Sequence, residues 1–452
     1  MDLYAHQFFN DEDVQSAIDC LIERLSFYKQ SIDTVRPKKE ICQSHFEKLN
    51  GIVTESRGGL YYPYLSSGLG NGAYVECSDG SVKLDFISGI GCHWAHSDED
   101  VIRHSIRGAL HDTVMQGNLQ QHEGSVELFD MLTRFSGLDY AFLTTSGVMS
   151  VENALKICFQ YKKPASRILA FSHCFCGRTL AAASITDKSA NRDGLPIVLP
   201  VDYVPFYDAC DPKKSIEKSV GMLKEYLKRY PNEYACMKFE LIQGEGGFKV
   251  GSKPFFLALM KVLKEHDIPV YIDEIQTFGR TTQLFAFQMF GLDEFVDIVT
   301  IGKLSQVCAT LYKKYLKPKP GLISQTFTSS TSAIESSKHI INTLVKESYF
   351  GKDGKNARVH GYFARKLRVL QRQYPELVSC VNGVGTMISF VPFSGEREKV
   401  LAFARKCYDN GLICFVAGNN PTRIRFLVPI GGLVNEDIDL AITIIEKTLC
   451  DS

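Results

Sequence analysis

From about residue 140 onwards, short apolar segments alternate with segments that have the apolar spacing of helices. Apolar runs typical of buried strands occur at 141–144, 168–171, 236–242, 269–273 and 297–301. Helical segments are predicted between them at 148–161, 213–229 and 254–266. Buried strands separated by helices are typical of a mostly parallel sheet that helices cover on both faces. The pattern therefore predicts the α/β fold class.

The regions on either side of this alternation have a different character. A helix is predicted over 11–32 and a β-hairpin over 73–87. After residue 333, long helices surround short strands; the helices are predicted at 334–349, 355–373, 396–410 and 434–449, and the strands at 385–391 and 423–428. We therefore predict an N-terminal segment, 1–62, that joins a smaller domain, a large domain, 63–332, and a small α+β domain, 333–452.

The charge balance argues against nucleic acid or a membrane surface as the main partner. Lys and Arg together number 51, as do Asp and Glu, so no basic excess is available to neutralise phosphates. The first residues lack the basic and apolar regions of a secretory signal, and we expect no membrane span. Fourteen cysteines without a Cys-x-x-Cys pair fit reduced thiols. We expect a cytoplasmic protein without a metal site.

An acid and an amine follow two of the predicted strands. Asp273 ends the run that begins at Val270, and Lys303 follows Gly302 at the end of the next run. If both strands belong to one sheet, the two side chains lie at the same edge. An amine and an acid in this arrangement suit an aldehyde cofactor with a ring nitrogen, since the amine forms a Schiff base and the acid holds the nitrogen protonated. The alternatives are a structural ion pair and a lysine whose amine reaches water.

Two further segments have the composition of a ligand-binding turn. Thr144-Thr-Ser-Gly-Val148 lies between a strand and a helix, where small residues let a phosphate approach the helix N-terminus. Phe175 and Arg178 follow another strand and could stack on a flat ring and bind a carboxylate. Taken alone, the first segment is better explained as an ordinary strand–helix turn, and the second as a core phenylalanine and a surface arginine.

A glycine-rich loop and a short strand supply the remaining candidates. Glu245 lies in Gln243-Gly-Glu-Gly-Gly247, a loop that a ligand could approach closely. Arg423 and Arg425 alternate along a strand and so point to one face, where one could reach a substrate carboxylate. The alternatives are a loop acid without function and two solvated cations on an edge strand.

Together, the order and spacing of these segments resemble the class III pyridoxal-phosphate-dependent aminotransferases, a fold-type I group that includes the ω-aminotransferases. The resemblance covers about residues 60–449. Within the group, Val151-Glu-Asn-Ala-Leu-Lys156 and Gly302-Lys-Leu-Ser-Gln-Val-Cys308 are most similar to the lysine 6-aminotransferase branch. The resemblance implies a large domain with a mostly parallel mixed sheet flanked by helices, and a smaller α+β domain.

The resemblance also implies roles at the cofactor. Lys303 would form the Schiff base with pyridoxal phosphate and move the proton, and Asp273 would pair with the ring nitrogen. Phe175 would stack on the ring, and Gln276 would hydrogen-bond its phenolic oxygen. The phosphate would be bound by Ser146, by the backbone N–H groups of Gly147 and Val148, and by Thr326 of a neighbouring subunit, so a homodimer is implied.

For the substrates, the resemblance implies two arginines and a switch. Arg425 would bind the α-carboxylate of glutamate or 2-oxoglutarate, and Arg178 would bind the distal carboxylate. Glu245 would mask Arg425 when an ω-amine donor binds and release it for the 2-oxo acid. We therefore expect transfer of a terminal amine, as in lysine, to 2-oxoglutarate by a ping-pong mechanism. A racemase or decarboxylase of the same fold, or an idle pyridoxal-phosphate-binding paralogue, remains an alternative.

The sequence departs from the family pattern at several positions near the expected site. Leu241 replaces a proline, Cys176 replaces a histidine or tryptophan, and Met149 replaces a glutamate. The segment 273–281 is one residue shorter than usual, and 328–330 has lost a Gly-Gly-Asn sequence. His93 and Trp94 lie in another altered segment and could line a substrate pocket, pack in the core or pack at a dimer interface.

Overall fold

The computed structural model describes residues 3–117 and 119–451. Its strands are β1 (Ser66–Asn71), β2 (Tyr74–Cys77), β3 (Val82–Asp85), β4 (Met115–Gln116), β5 (Tyr140–Thr144), β6 (Arg167–Phe171), β7 (Val201–Val204), β8 (Tyr234–Phe239), β9 (Ile242–Gln243), β10 (Lys249–Val250), β11 (Val270–Asp273), β12 (Ile298–Ile301), β13 (Cys308–Tyr312), β14 (Ser329–Ser330), β15 (Val378–Val384), β16 (Met387–Pro392), β17 (Leu412–Ile413), β18 (Phe415–Ala417) and β19 (Arg423–Leu427).

The helices are α1 (Tyr4–Asn10), α2 (Glu12–Lys29), α3 (Gln43–Arg57), α4 (Ser88–Gly91), α5 (Glu99–Ala109), α6 (Glu123–Ser136), α7 (Gly147–Tyr161), α8 (Leu180–Ile185), α9 (Pro212–Arg229), α10 (Lys253–Glu265), α11 (Ala286–Met289), α12 (Thr331–Lys346), α13 (Lys355–Gln373), α14 (Arg397–Asp409) and α15 (Asn435–Cys450). In the described ranges, none of these helices has the length and apolar character that crossing a membrane requires.

A seven-stranded sheet in the order β5-β13-β12-β11-β8-β6-β7 organises the largest part of the chain. All of its neighbouring pairs are parallel except those that involve β13, which is antiparallel to both β12 and β5. Only a short turn connects β12 to β13, and a parallel crossover needs a dozen or more residues. The predicted α/β fold with a mostly parallel mixed sheet is confirmed.

Two four-stranded sheets lie outside this large sheet. One has the order β15-β16-β19-β18, and the other has the order β1-β2-β3-β17. The predicted hairpin is present, because β2 pairs antiparallel with β3. Strand β3 also pairs parallel with β17, so the hairpin shares a sheet with a strand of the C-terminal region. The division into 1–62, 63–332 and 333–452 stays a prediction.

The predicted helices occur with shifts of up to three residues at their ends, and local sequence explains several of these ends. Helix α9 begins at Pro212, and the Asp211 side chain accepts the Lys214 N–H at 3.2 Å. Proline at the first position and aspartate before it are both favourable, because the first N–H groups of a helix have no intrahelical acceptor.

A buried carboxylate fixes the strands at the centre of the large sheet. Asp297 precedes β12 and is fully buried, and its Oδ2 accepts the N–H of Val270, the first residue of β11, at 2.8 Å. Lys264, near the end of α10, donates to both carboxylate oxygens at 2.6 and 2.7 Å. This network ties α10, β11 and β12 together at the end of the strands opposite to Asp273.

We expect Asp297→Ala to destabilise the sheet by about 3–5 kcal/mol, because it leaves a lysine without its partner and a buried N–H without an acceptor. Denaturant unfolding followed by far-UV circular dichroism measures the loss. Lys264→Met is the control and should cost less, since Asp297 keeps its bond to Val270 and lies 3.8 Å from Lys313. A loss below about 1 kcal/mol for Asp297→Ala, as for an exposed pair, would contradict the assignment.

Candidate active site

A cavity of about 850 Å³ lies at the carboxyl ends of the central strands. Lys303 and Asp273 both line it, as do Phe175, Glu245 and Gln276. Strand β11 pairs parallel with both β8 and β12, so the residues that follow these strands meet at one edge of the sheet. The carboxyl ends of parallel strands are where open α/β sheets bind ligands. The predicted acid and amine therefore share a single cavity.

The turn between β5 and α7 forms one wall of this cavity. Ser146 is the N-cap of α7, and its hydroxyl accepts the Met149 N–H at 3.4 Å. Gly147 and Val148 line the cavity as the first residues of the helix, where backbone N–H groups have no intrahelical acceptor. A side chain at Gly147 would come within 3.0 Å of Ile275, so glycine permits the close contact between this turn and the loop after β11.

The loop after β6 forms the adjoining wall. Phe175 is half-buried, and its backbone N–H donates to Glu240 Oε2 at 2.8 Å. Gly177 has a φ of +144° and packs against Val148, where any added Cβ would lie 2.4 Å from a methyl group. Arg178 is exposed and lines the cavity. Cys176 is buried and also lines the cavity, and burial raises the pKa of its thiol.

Asp273 is held by hydrogen bonds to both of its carboxylate oxygens. Its Oδ1 accepts the Ile275 N–H at 3.1 Å, and its Oδ2 lies 2.9 Å from Lys238 Nζ. Gln276 lies beside it, and its buried Oε1 has no hydrogen-bond partner among the described residues. A Cβ on Gly244 would lie 2.4 Å from that oxygen, so glycine is needed where the loop after β9 crosses Gln276.

Lys303 directly follows the glycine at the end of β12. Its φ of +56° lies in the left-handed region, which is uncommon for a residue with a side chain and concentrates at functional sites. Burial lowers the pKa of its amine to about 8, and the positive charge of Arg425 acts in the same direction. A substantial fraction of the amine is therefore neutral near pH 8, as a nucleophile requires.

Arg425 lies on β19, inside the sheet rather than at its edge, and is fully buried. Its guanidinium forms a short ion pair with Glu245 and donates to the Gly244 carbonyl at 3.3 Å. Burial opposes ionisation of Glu245, but Arg425 outweighs this effect and holds the pKa of Glu245 below its usual value. Arg423 is also buried and donates to the Cys380 carbonyl at 3.3 Å, so the interpretation of both arginines as solvated cations is wrong.

Sequence reasoning missed several charged residues at this site, and Lys238 is the one that contacts Asp273. Lys238 lies within β8, and its side chain is 1% exposed. Its amine contacts Asp273, donates to the Phe175 carbonyl at 2.7 Å, and lies 4.0 Å from Glu240. A lysine inside a run of otherwise apolar residues was the available signal, because an unpaired charge is rarely buried in such a strand.

Not every residue singled out from the sequence lines the cavity of this chain. Ser146 and Arg425 are in contact with lining residues but do not line it themselves, and neither do Thr326, Trp94 and His93. Thr326 is exposed and lies beside Gly117. Trp94 is buried in the core, where its ring packs 5.3 Å from that of Tyr349, so the core alternative is confirmed for it. His93 is exposed and packs against the ring of His96.

The chain matches a known family and several curated proteins. The aminotransferase class-III family matches residues 63–449. Acetylornithine aminotransferase from Archaeoglobus fulgidus is 28% identical over 384 residues, which cover 83% of this chain and 93% of that protein. Acetylornithine aminotransferase from Bacillus anthracis is 27% identical over 388 residues, which cover 84% of this chain and 94% of that protein.

Solved structures share the fold. A lysine aminotransferase from M. tuberculosis superposes with a TM-score of 0.78 at 21% identity, covering 90% of this chain and 99% of the other. An ornithine aminotransferase from Toxoplasma gondii gives a TM-score of 0.77 at 20% identity, covering 92% of this chain and 99% of the other. With the family match extending over most of the sequence, this chain belongs to the class III aminotransferases, which are pyridoxal-phosphate-dependent enzymes of fold type I.

Proposed function

We propose that this enzyme transfers the terminal amine of an amino acid, such as lysine or a related ω-amino acid, to 2-oxoglutarate by a ping-pong mechanism. The observation that supports this proposal best is a single cavity lined by a lysine of lowered pKa, by a carboxylate at the neighbouring strand end, and by a glutamate that pairs with a fully buried arginine. The first two groups suit the cofactor, and the third suits two substrates that must bind in turn.

The residues of the cavity fit pyridoxal phosphate. The N-terminus of α7 offers N–H groups to a phosphate through Ser146, Gly147 and Val148. Asp273 offers a carboxylate to the ring nitrogen and Phe175 an aromatic face to the ring. Gln276 offers its side-chain amide to the phenolic oxygen, and its buried Oε1, which has no partner among the described residues, can accept from a phenolic hydroxyl. The bound cofactor supplies an aldehyde and an electron-withdrawing ring, and Lys303 supplies the amine that attaches it and a base that moves a proton.

The Arg425–Glu245 pair suits alternate binding of a donor and an acceptor. While Glu245 neutralises Arg425, the arginine does not attract the α-carboxylate of the donor, so the donor enters with its terminal amine towards Lys303. When Glu245 turns away, Arg425 binds the α-carboxylate of the 2-oxo acid. Its buried Nε has no hydrogen-bond partner within residues 3–117 and 119–451, so it can donate as well. Arg178 then offers a cation for the distal carboxylate.

The donor is an amino acid with a free terminal amine and a carboxylate. The cations Arg57, Lys188 and Arg397 line the cavity together with Arg178, so a substrate that carries negative charge is favoured. The curated relatives act on acetylornithine, and the structural neighbours act on lysine and ornithine. Each of these molecules has the same two groups, which is why we propose this class of donor.

We also infer that the enzyme is a cytoplasmic homodimer. All fourteen cysteines are unpaired, which suits a reducing compartment. Thr326 is exposed near β14 and is therefore accessible to a neighbouring subunit. In a dimer of this kind, Thr326 would contribute to the phosphate site of the partner.

The decisive test is the half-reaction of the cofactor-loaded enzyme with single donors. We expect acetylornithine, ornithine or lysine to convert the bound cofactor to its amino form without acceptor, and 2-oxoglutarate to reverse this change; absorption spectra and product analysis follow both steps. Donor consumption without the amino form of the cofactor would indicate racemisation or decarboxylation. An unchanged spectrum with all three donors and with related ω-amines would contradict the proposal.

The low pKa of Lys303 predicts the pH dependence of cofactor capture by the apoenzyme. Only the neutral amine attacks the aldehyde, so the capture rate should rise with pH and level off above about pH 8, rather than near 10.5 as for an ordinary lysine. Stopped-flow absorbance measures the rate. Lys303→Ala should abolish covalent attachment, and attachment that persists in this variant would refute the role of Lys303.

The paired arginine predicts a selective effect on the acceptor. Arg425→Met should raise the KM for 2-oxoglutarate about 10- to 100-fold, since one or two charge-assisted hydrogen bonds are lost. It should change the rate of the donor half-reaction much less. Glu245→Gln should impair the donor half-reaction more than the acceptor half-reaction, because the unmasked arginine draws the donor in by its α-carboxylate. Equal effects of Arg425→Met on both half-reactions would contradict the switch.

A further inference from the structure

We propose that Lys238 is a positioning residue that competes with the ring nitrogen of pyridoxal phosphate for Asp273 and thereby weakens the hold of the enzyme on the ring-nitrogen proton. This inference rests on the proposed pairing of Asp273 with that nitrogen. It adds a residue that does not touch the substrate but sets how strongly the ring withdraws electrons.

The geometry places Lys238 directly behind Asp273. In the pairing of β8 with β11, Lys238 lies opposite Tyr271, and residues two apart on a strand point to the same face. Lys238 on β8 therefore shares a face with Asp273 on β11, and Glu240 is the first residue after β8. The Lys238 amine lies 2.9 Å from Asp273 Oδ2, and the Phe175 carbonyl accepts from it at 2.7 Å.

The ammonium is held in its charged form. Burial opposes its ionisation, but Asp273 and then Glu240 outweigh burial, so the pKa of Lys238 is raised above its ordinary value. Asp273 consequently faces the cavity with its charge already partly balanced at one oxygen, while its other oxygen accepts the Ile275 N–H. A positively charged ring nitrogen at this carboxylate would be attracted by Asp273 and repelled by Lys238.

Glu240 completes the charge balance of this cluster. Its oxygens accept the Phe175 N–H at 2.8 Å and the Gly244 N–H at 3.2 Å, and Oε2 lies 4.0 Å from Lys238. Burial raises the pKa of Glu240 to about 7, although Lys238 opposes the rise. A protonated ring nitrogen would therefore be balanced by two carboxylates against one lysine, and the ionisation of Glu240 would favour it.

A purely structural role for Lys238 explains this arrangement less well. The other side chains of β8 are apolar or aromatic and equally buried, so a leucine or methionine would fill the same space. Replacing a buried ion pair with apolar residues of similar volume is often neutral or stabilising. A lysine in contact with the proposed ring-nitrogen carboxylate has its largest effect on whatever that carboxylate binds.

The test measures what the ring nitrogen contributes to binding. Apoenzyme affinities are determined by equilibrium titration for pyridoxal phosphate and for its 1-deaza analogue, in which a C–H group replaces the ring nitrogen. The ratio of the two dissociation constants reports the interaction at this nitrogen alone. We expect Lys238→Met to raise the preference for pyridoxal phosphate about tenfold or more, as for a shift of one pKa unit or more in the ring nitrogen.

Two further variants keep the test valid if Lys238→Met folds poorly. Lys238→Met combined with Glu240→Gln removes one charge of each sign and should still raise the preference. Glu240→Gln alone should lower the preference for pyridoxal phosphate, because this substitution removes a carboxylate and leaves the charge of Lys238 in place. Circular dichroism of each apoenzyme establishes folding, and the ¹⁵N chemical shift of the ring nitrogen in bound, labelled cofactor should move towards the protonated value in both Lys238 variants.

Lys264→Met is the matched control, since Lys264 also pairs with a buried carboxylate, Asp297, but does not line the cavity. The preference of the Lys264→Met variant for pyridoxal phosphate over the 1-deaza analogue should equal that of the parent enzyme. An unchanged preference in both Lys238 variants, together with a collapse towards equal affinities in Asp273→Asn, would refute the role of Lys238 and leave the pairing of Asp273 intact. Unchanged preference in Asp273→Asn as well would refute both assignments.

Discussion

The parallel pairing of β8, β11 and β12 is the constraint on which the rest of the site depends. Because these three strands run in one direction, their carboxyl ends meet, and the side chains of Asp273 and Lys303 enter one cavity. Asp297 binds the first residue of β11 from its place before β12, at the opposite end of the strands. The site is therefore as rigid as the sheet that carries it, which suits a reaction that requires groups held within fractions of an ångström.

The charged side chains in and next to the cavity form two pairs of opposite charge. Lys238 contacts Asp273, and Arg425 contacts Glu245; Lys303 is left without an equally close acid, and its pKa is lowered to about 8. Buried ions are costly unless they are paired, so the pairs stabilise the site before any ligand binds. In the proposed mechanism, the amine of Lys303 is the group that reacts. The proposal also gives one ion of each pair a second partner: the cofactor for Asp273 and the substrates for Arg425.

Much of the fold followed from pattern, and so did the residues of the cavity. Continuous apolar runs between helices predicted the mixed, mostly parallel sheet, and the run from Val270 predicted β11 correctly. The run predicted over 236–242 instead ends at Phe239, because the chain turns where Glu240 accepts the N–H groups of Phe175 and Gly244. Such a bond between distant segments leaves no periodic trace in the sequence, so the strand end could not be predicted.

The sequence by itself determined the fold class and the acid–amine pair, since strand periodicity and the residues at strand ends are local properties; the other candidate cofactor residues came from the resemblance of its motifs to a family. Only the tertiary structure decided which charges are neighbours. It brought Lys238 to Asp273 across two strands, buried Arg425 against Glu245, and placed Trp94 in the core rather than in the cavity. These outcomes depend on strand order and side-chain burial, which are set by packing between segments that lie far apart along the chain.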